Sequence, residues 1–144
     1  MKRIILIILS ALFIVNLSSC KKKECPVEEP TVRDYLVQDT WIAEKTEMYQ
    51  NGLLINTNNT PGWFRVFTPS GEYFHYNAQG QTTDYGSYVL NQDADPMTLQ
   101  LTVYSSGTTT DYIIEKLTEK ELIYYRQELS GTSTYKHVFY FVRN

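Results

Sequence analysis

The chain has 144 residues, with 13 Lys and Arg against 16 Asp and Glu and a formal net charge of −3. It has only two cysteines, Cys20 and Cys25, both near the amino terminus. With no basic face, the balance excludes a conventional nucleic-acid binder. The cysteine count excludes both a disulfide scaffold and a thiolate metal site in the rest of the chain.

Lys2 and Arg3 precede an uncharged apolar run from Ile4 to Val15. At 12 residues it is shorter than the roughly 20 needed to cross a bilayer. It reads as the apolar core of a secretion signal. The run leads into Leu17-Ser18-Ser19-Cys20, which resembles the lipobox of bacterial lipoproteins. That resemblance implies cleavage after residue 19, several acyl chains on Cys20 and a place in the bacterial cell envelope, on the outer membrane. The membrane is then a partner through the lipid. One acyl chain holds a protein marginally, whereas two or more hold it stably. The competing reading is an uncleaved helix stretched to Ser19, with Lys21-Lys22-Lys23 as its stop; Asn16, Ser18 and Ser19 weigh against it.

Residues 20–34 combine lysines, acidic residues, Pro26 and Pro30 with almost no apolar content and read as a solvated, lipid-bearing tether. Cys25 is a lone thiol within it. Without residues 1–19 the chain keeps 11 of its positive charges against 16 negative ones, a formal −5. Residues 35–144 are long enough for one domain with a buried core.

Thr31 to Asp39 suggests one helical turn, placed to close the end of whatever follows. Trp41 to Met48 is the first strand. Tyr49 to Gly62 holds Leu53-Leu54-Ile55 and then a run rich in Asn and Thr. That is long for a hairpin loop, and a short strand or a mobile lid is expected there. In the next strand Trp63, Arg65 and Phe67 alternate with Phe64 and Val66, so both faces are largely apolar. Pro69-Ser70-Gly71 turns the chain, because Pro presets φ and Gly permits positive φ. Glu72 to Asn77 returns. Thr83 to Leu90 follows, then a strand in which Met97, Leu99, Leu101 and Val103 share one face. Thr109 to Leu117 follows, and the irregular apolar spacing from Asp111 to Leu117 calls for a bulge or an early strand end. Leu122 to Leu129 and Thr132 to Val142 complete the series. With 12 Tyr, 6 Phe and 2 Trp, the composition suits a pleated, half-buried surface. The expected fold is all-β: a small antiparallel up-and-down barrel of about eight strands.

The order of short motifs supports this. Trp41 opens the first strand, Phe67-Thr68-Pro69-Ser70-Gly71-Glu72-Tyr73 forms a hairpin, and Gly86-Ser87-Tyr88 and Met97 to Leu101 follow. Tyr112 to Thr118 then leads into Glu121 to Tyr125. Over roughly residues 40 to 143 this order resembles the lipocalin-like domain lipoproteins of Bacteroidota. Asp39 stands where the wider lipocalin pattern carries a glycine. The resemblance implies a barrel-end pair, with Trp41 buried and Arg143 beside it. It also implies a barrel interior that takes a small apolar or amphipathic ligand.

The residues propose no reaction. The sequence has no His-Glu-x-x-His, Gly-x-Ser-x-Gly or phosphate-loop pattern. His75 and His137 fall on different strands and read as ordinary strand residues rather than metal ligands. Asp93-Ala94-Asp95-Pro96 reads as a polar turn. The expectation is therefore no enzyme, no metal and no cofactor. Two readings remain: a barrel that binds a small hydrophobic or amphipathic ligand, or an accessory module with a packed interior whose outer surface meets another envelope protein. Adjacent strand residues face opposite ways, so of Tyr124 and Tyr125 one must point in and one out. Tyrosines beyond what a core needs are the hint of binding.

Overall fold

A computed structural model describes residues 29–143. Cys20, Cys25 and the 1–19 leader lie outside the described residues. The helix α1 spans Val32–Val37 and is followed by nine strands. These are β1 (Trp41–Gln50), β2 (Leu53–Asn59), β3 (Phe64–Phe67), β4 (Glu72–Tyr76), β5 (Thr82–Asn91), β6 (Thr98–Val103), β7 (Thr109–Leu117), β8 (Glu121–Ser130) and β9 (Ser133–Val142). Every pairing is antiparallel, and β1 with β9 closes the ring. Eight strands form the barrel; β2 is the extra one.

Thr31 starts α1 through a capping box. Its side chain accepts from Asp34 N, while Asp34 takes the Thr31 backbone N–H at 2.7 Å. The reciprocal pair satisfies donors that a helix start otherwise leaves orphaned. Regular structure thus begins at Val32, within the Thr31 to Asp39 stretch where the sequence suggested a helical turn.

Neighbouring strands are joined by tight turns, and the period-2 rule fills the inside. Trp41, Phe67, Tyr73, Leu99, Leu122 and Tyr124 are all essentially fully buried. Gly86 lies where β5 meets β6. A Cβ there would come 1.8 Å from the Thr102 carbonyl oxygen, so only glycine allows this close approach. The expected bulge in β7 falls between Ile114 and Lys116.

The stretch from Tyr49 to Gly62 is a strand rather than a loose loop. Asn51 and Gly52 have φ of 50° and 83° and close a two-residue hairpin between β1 and β2. Asn-Gly is the pair that such a turn favours, because both central residues need positive φ. β2 and β3 then pair along the same edge of β1, separated by a break at Thr60–Trp63. Ala43 N donates to Trp63 O at 2.8 Å, and Thr60 N donates to Glu44 O at 3.1 Å across that break. All seven residues of β2 are exposed. With the distal parts of β1, β9 and β8, β2 makes a sheet that runs on past the barrel's rim.

Candidate functional site

One barrel end is sealed. Leu36 of α1 is fully buried, and Trp41 Nε1 donates to its carbonyl at 2.9 Å. The Arg143 guanidinium lies 4.1 Å from the Trp41 ring centroid. Its Nη2 donates to Tyr35 O at 2.6 Å, and its Nη1 reaches Glu119 O at 3.0 Å and Gln38 Oε1 at 3.1 Å. This one side chain ties α1 to the β7–β8 turn over the indole face. The geometry is that of a cation–π contact, supported by carbonyls at the helix's carboxyl end.

From this seal upward, Phe67, Tyr73, Tyr88, Tyr124 and Phe141 fill the interior. Tyr112, Tyr124 and Phe139 pack edge-on and stacked with centroids 5.0–5.8 Å apart. A ligand running the length of the axis has no room.

A space lined by inward-facing residues lies toward the other end, beside the break between β2 and β3. It is a cleft of about 170 Å³ lined by Ala43, Thr46, Thr60, Trp63, Arg65, His75, Phe139 and Phe141. Its walls are mostly carbon. The floor is Arg65, which is only 8% exposed. Residue parity explains its placement: Arg65 pairs in register with Trp41, and the two share the inner face.

Arg65 donates through Nη1 to the Tyr124 hydroxyl and through Nη2 to His75 Nδ1, the latter at 3.1 Å. It also lies near the rings of Tyr73, Tyr124 and Phe141, at 5.5, 5.9 and 5.7 Å. Burial, and then the neighbouring Arg65 charge, push the His75 pKa down to about 4. At neutral pH its Nδ1 is therefore the acceptor. Burial raises the Tyr124 hydroxyl, which stays protonated. Both partners of the guanidinium are thus neutral, and none of the ion pairs among the described residues involves it. Arg65 Nε and Thr60 Oγ1 are buried without a hydrogen-bond partner. Trp63, 37% exposed, meets His75 edge-on at 5.4 Å and forms the cleft's outer wall.

Two other surfaces stand out. On the outside of β3–β5, Phe64, Tyr76, Phe74, Tyr85 and Tyr104 form a row with neighbouring centroids 4.6–6.4 Å apart. Its far members Tyr85 and Tyr104 are 47% and 51% exposed. The first four rings stack face against face, so they present mainly edges to solvent. On the outside of the extended sheet, Glu47 accepts from Lys45 Nζ and from the Tyr49 and Tyr140 hydroxyls, each at 2.7 Å. Those bonds, Lys45 foremost, hold its carboxyl down at about 2. A shallow groove of about 360 Å³ beside it runs along Tyr49, Lys136, Val138 and Tyr140.

His75 and His137 are not brought together with a carboxylate. His75 serves Arg65, while His137 Nε2 lies 3.5 Å from Glu128. Among the described residues no group of three or more His, Cys, Asp or Glu gathers for a metal. No helix among them is long and apolar enough to cross a membrane. Sequence reasoning put Arg65 on the same strand face as Phe67 but gave it no role. A lone charge on a face otherwise made of Trp and Phe was the available signal. No protein-family model matches this chain, and no curated protein matches it.

Proposed function

We propose that this protein is a lipocalin-like lipoprotein of the bacterial cell envelope, moored to the outer membrane through lipid on Cys20, that binds a small amphipathic ligand in the cleft at its open barrel end. It is a binding module rather than an enzyme. The observation that carries this reading is the cleft itself: carbon walls converging on a buried, charged arginine. Small-molecule sites combine an apolar lining with a few placed polar groups in the same way. The packed interior narrows the ligand from one that fills a lumen to one that fits the mouth.

Native mass spectrometry of protein purified from its own membranes, followed by solvent extraction, tests both halves. The expected result is an acylated amino terminus at Cys20 and a co-purifying small molecule lost on denaturation. An intact leader removes the mooring. A ligand-free protein whose Trp63 fluorescence answers to no small amphiphile removes the binding role.

A second reading rests on the outer aromatic row. Tyr85, Tyr104 and the 60%-exposed Val89 offer an apolar surface to a partner protein of the envelope. Replacing Tyr85 and Tyr104 by Ser then abolishes pull-down of that partner while leaving the cleft intact.

A further inference from the structure

We propose that the ligand of this cleft is a small aromatic or short-chain monocarboxylate, and that Arg65 receives its carboxylate. This rests on the binding role just proposed and specifies its chemistry.

Three observations converge. The first is unbalanced charge. A guanidinium cannot be deprotonated in a protein and has five N–H donors. In Arg65 two are used, both on neutral acceptors. A buried charge is expensive unless it is paired and hydrogen-bonded. The Glu47–Lys45 contact shows that this protein pairs such charges elsewhere. A carboxylate matches the planar fork of a guanidinium and can take two parallel bonds from it.

The second is polarity. The described residues hold four buried side-chain polar atoms without a partner: Thr60 Oγ1 and the Nε atoms of Arg65, Arg126 and Arg143. Two of the four side chains line this one cleft. Thr60 sits at the strand break, where small local shifts would let its hydroxyl donate to a bound oxygen. A phosphate would bring more oxygens than Arg65 and Thr60 can satisfy, and each one left unpaired in this setting is costly. A cation would face Arg65 directly.

The third is size. At about 170 Å³ the cleft is smaller than the roughly 300–1,000 Å³ of sites for drug-sized ligands. A long acyl chain does not fit. Trp63 on one side and Phe139 and Phe141 on the other suit a flat ring or a short branched tail.

The test is a titration of the purified protein with phenylacetate, phenylacetamide and benzylamine, followed by calorimetry and by tryptophan emission. Phenylacetate should bind saturably, and the neutral amide should bind at least about tenfold more weakly, the cost of an unmet charged hydrogen bond. Arg65→Lys keeps the charge but loses the fork, and should weaken phenylacetate by a similar factor. Trp63→Phe should remove the emission change without removing the calorimetric signal, which locates the site. Amide and acid binding equally well overturns the carboxylate assignment and leaves the cleft reading standing. No saturable binding of any of the three at millimolar concentration, to protein with native near-ultraviolet dichroism, overturns both. Because the acid–amide comparison is made on the unaltered chain, a folding defect in Arg65→Lys cannot rescue the proposal.

Discussion

Arg143 lies over the Trp41 ring and Arg65 pairs in register with Trp41, and both place a guanidinium over aromatic rings. Arg143 has spent its charge on closure: two backbone carbonyls and a glutamine oxygen surround it, and it stitches α1 to the barrel. Both leave their Nε without a partner, but Arg65 is more deeply buried and has only one hydroxyl and one imidazole for the rest of its fork. Similar chemistry thus does different work. At the sealed end a cation completes the fold; at the cleft, on the binding role proposed above, it would receive an anion.

That contrast can be broken in several ways. The largest effect belongs to the seal. Trp41→Ala removes a fully buried indole together with its bond to Leu36 and its contact with Arg143, and should cost about 3–5 kcal/mol. A variant that melts at the unaltered protein's temperature would discredit the plug role.

Next comes acid sensitivity, which the cleft end should carry. His75 stays neutral when folded down to about pH 4, whereas an unfolded histidine takes up a proton near 6.5. Below pH 6.5 the unfolded chain therefore binds a proton that the folded chain refuses, and stability falls until about pH 4. After allowance for partial solvent access, the loss is about 2 kcal/mol. Denaturant melts across this range should show the slope, and His75→Gln, which can still accept from Arg65, should flatten it. The Glu47 carboxylate acts at lower pH and in the same direction, since its pKa is also depressed on folding. Its contribution is complete above about 4.5 and is lost as pH falls toward about 2, a second step absent from Glu47→Gln.

Arg143→Ala should cost about 1–2 kcal/mol, from lost charge-assisted bonds and the cation–π contact, and should leave phenylacetate affinity unchanged. The sharpest contrast has the smallest expected stability effect. Arg65→Met leaves the Tyr124 hydroxyl and His75 Nδ1 without their donor but also removes the burden of a buried unpaired charge; the two offset, so unfolding free energy should move by no more than about 1 kcal/mol. Carboxylate binding should vanish. A loss as large as that of Arg143→Ala, about 2 kcal/mol or more, would make Arg65 a structural residue like Arg143 and erase the distinction.

How far the sequence revealed this depends on the element. Strands with clean alternation, such as β6 with Leu99 and Leu101 inward, were legible with their boundaries, as was the β7 bulge. β2 was less so. Its residues Leu53 to Asn59 have no buried face to impose a period, and the Asn51-Gly52 turn signal stood unused beside them. The filled interior was not legible either. Whether aromatic side chains fill a barrel or line it depends on how strands from opposite walls interleave, and no single strand encodes that.

By itself, the chain's order of residues determined an all-β barrel preceded by a helical turn, because strand parity, turn chemistry and capping act within a few neighbours. Only the tertiary structure decided that Arg65 ends up beneath a small cleft with two neutral partners. That outcome needs Tyr124, His75, Thr60 and Phe139, drawn from four separate stretches of chain, to meet around one charge. Burial and electrostatics depend on what surrounds a group in space, and those neighbours are distant in the sequence.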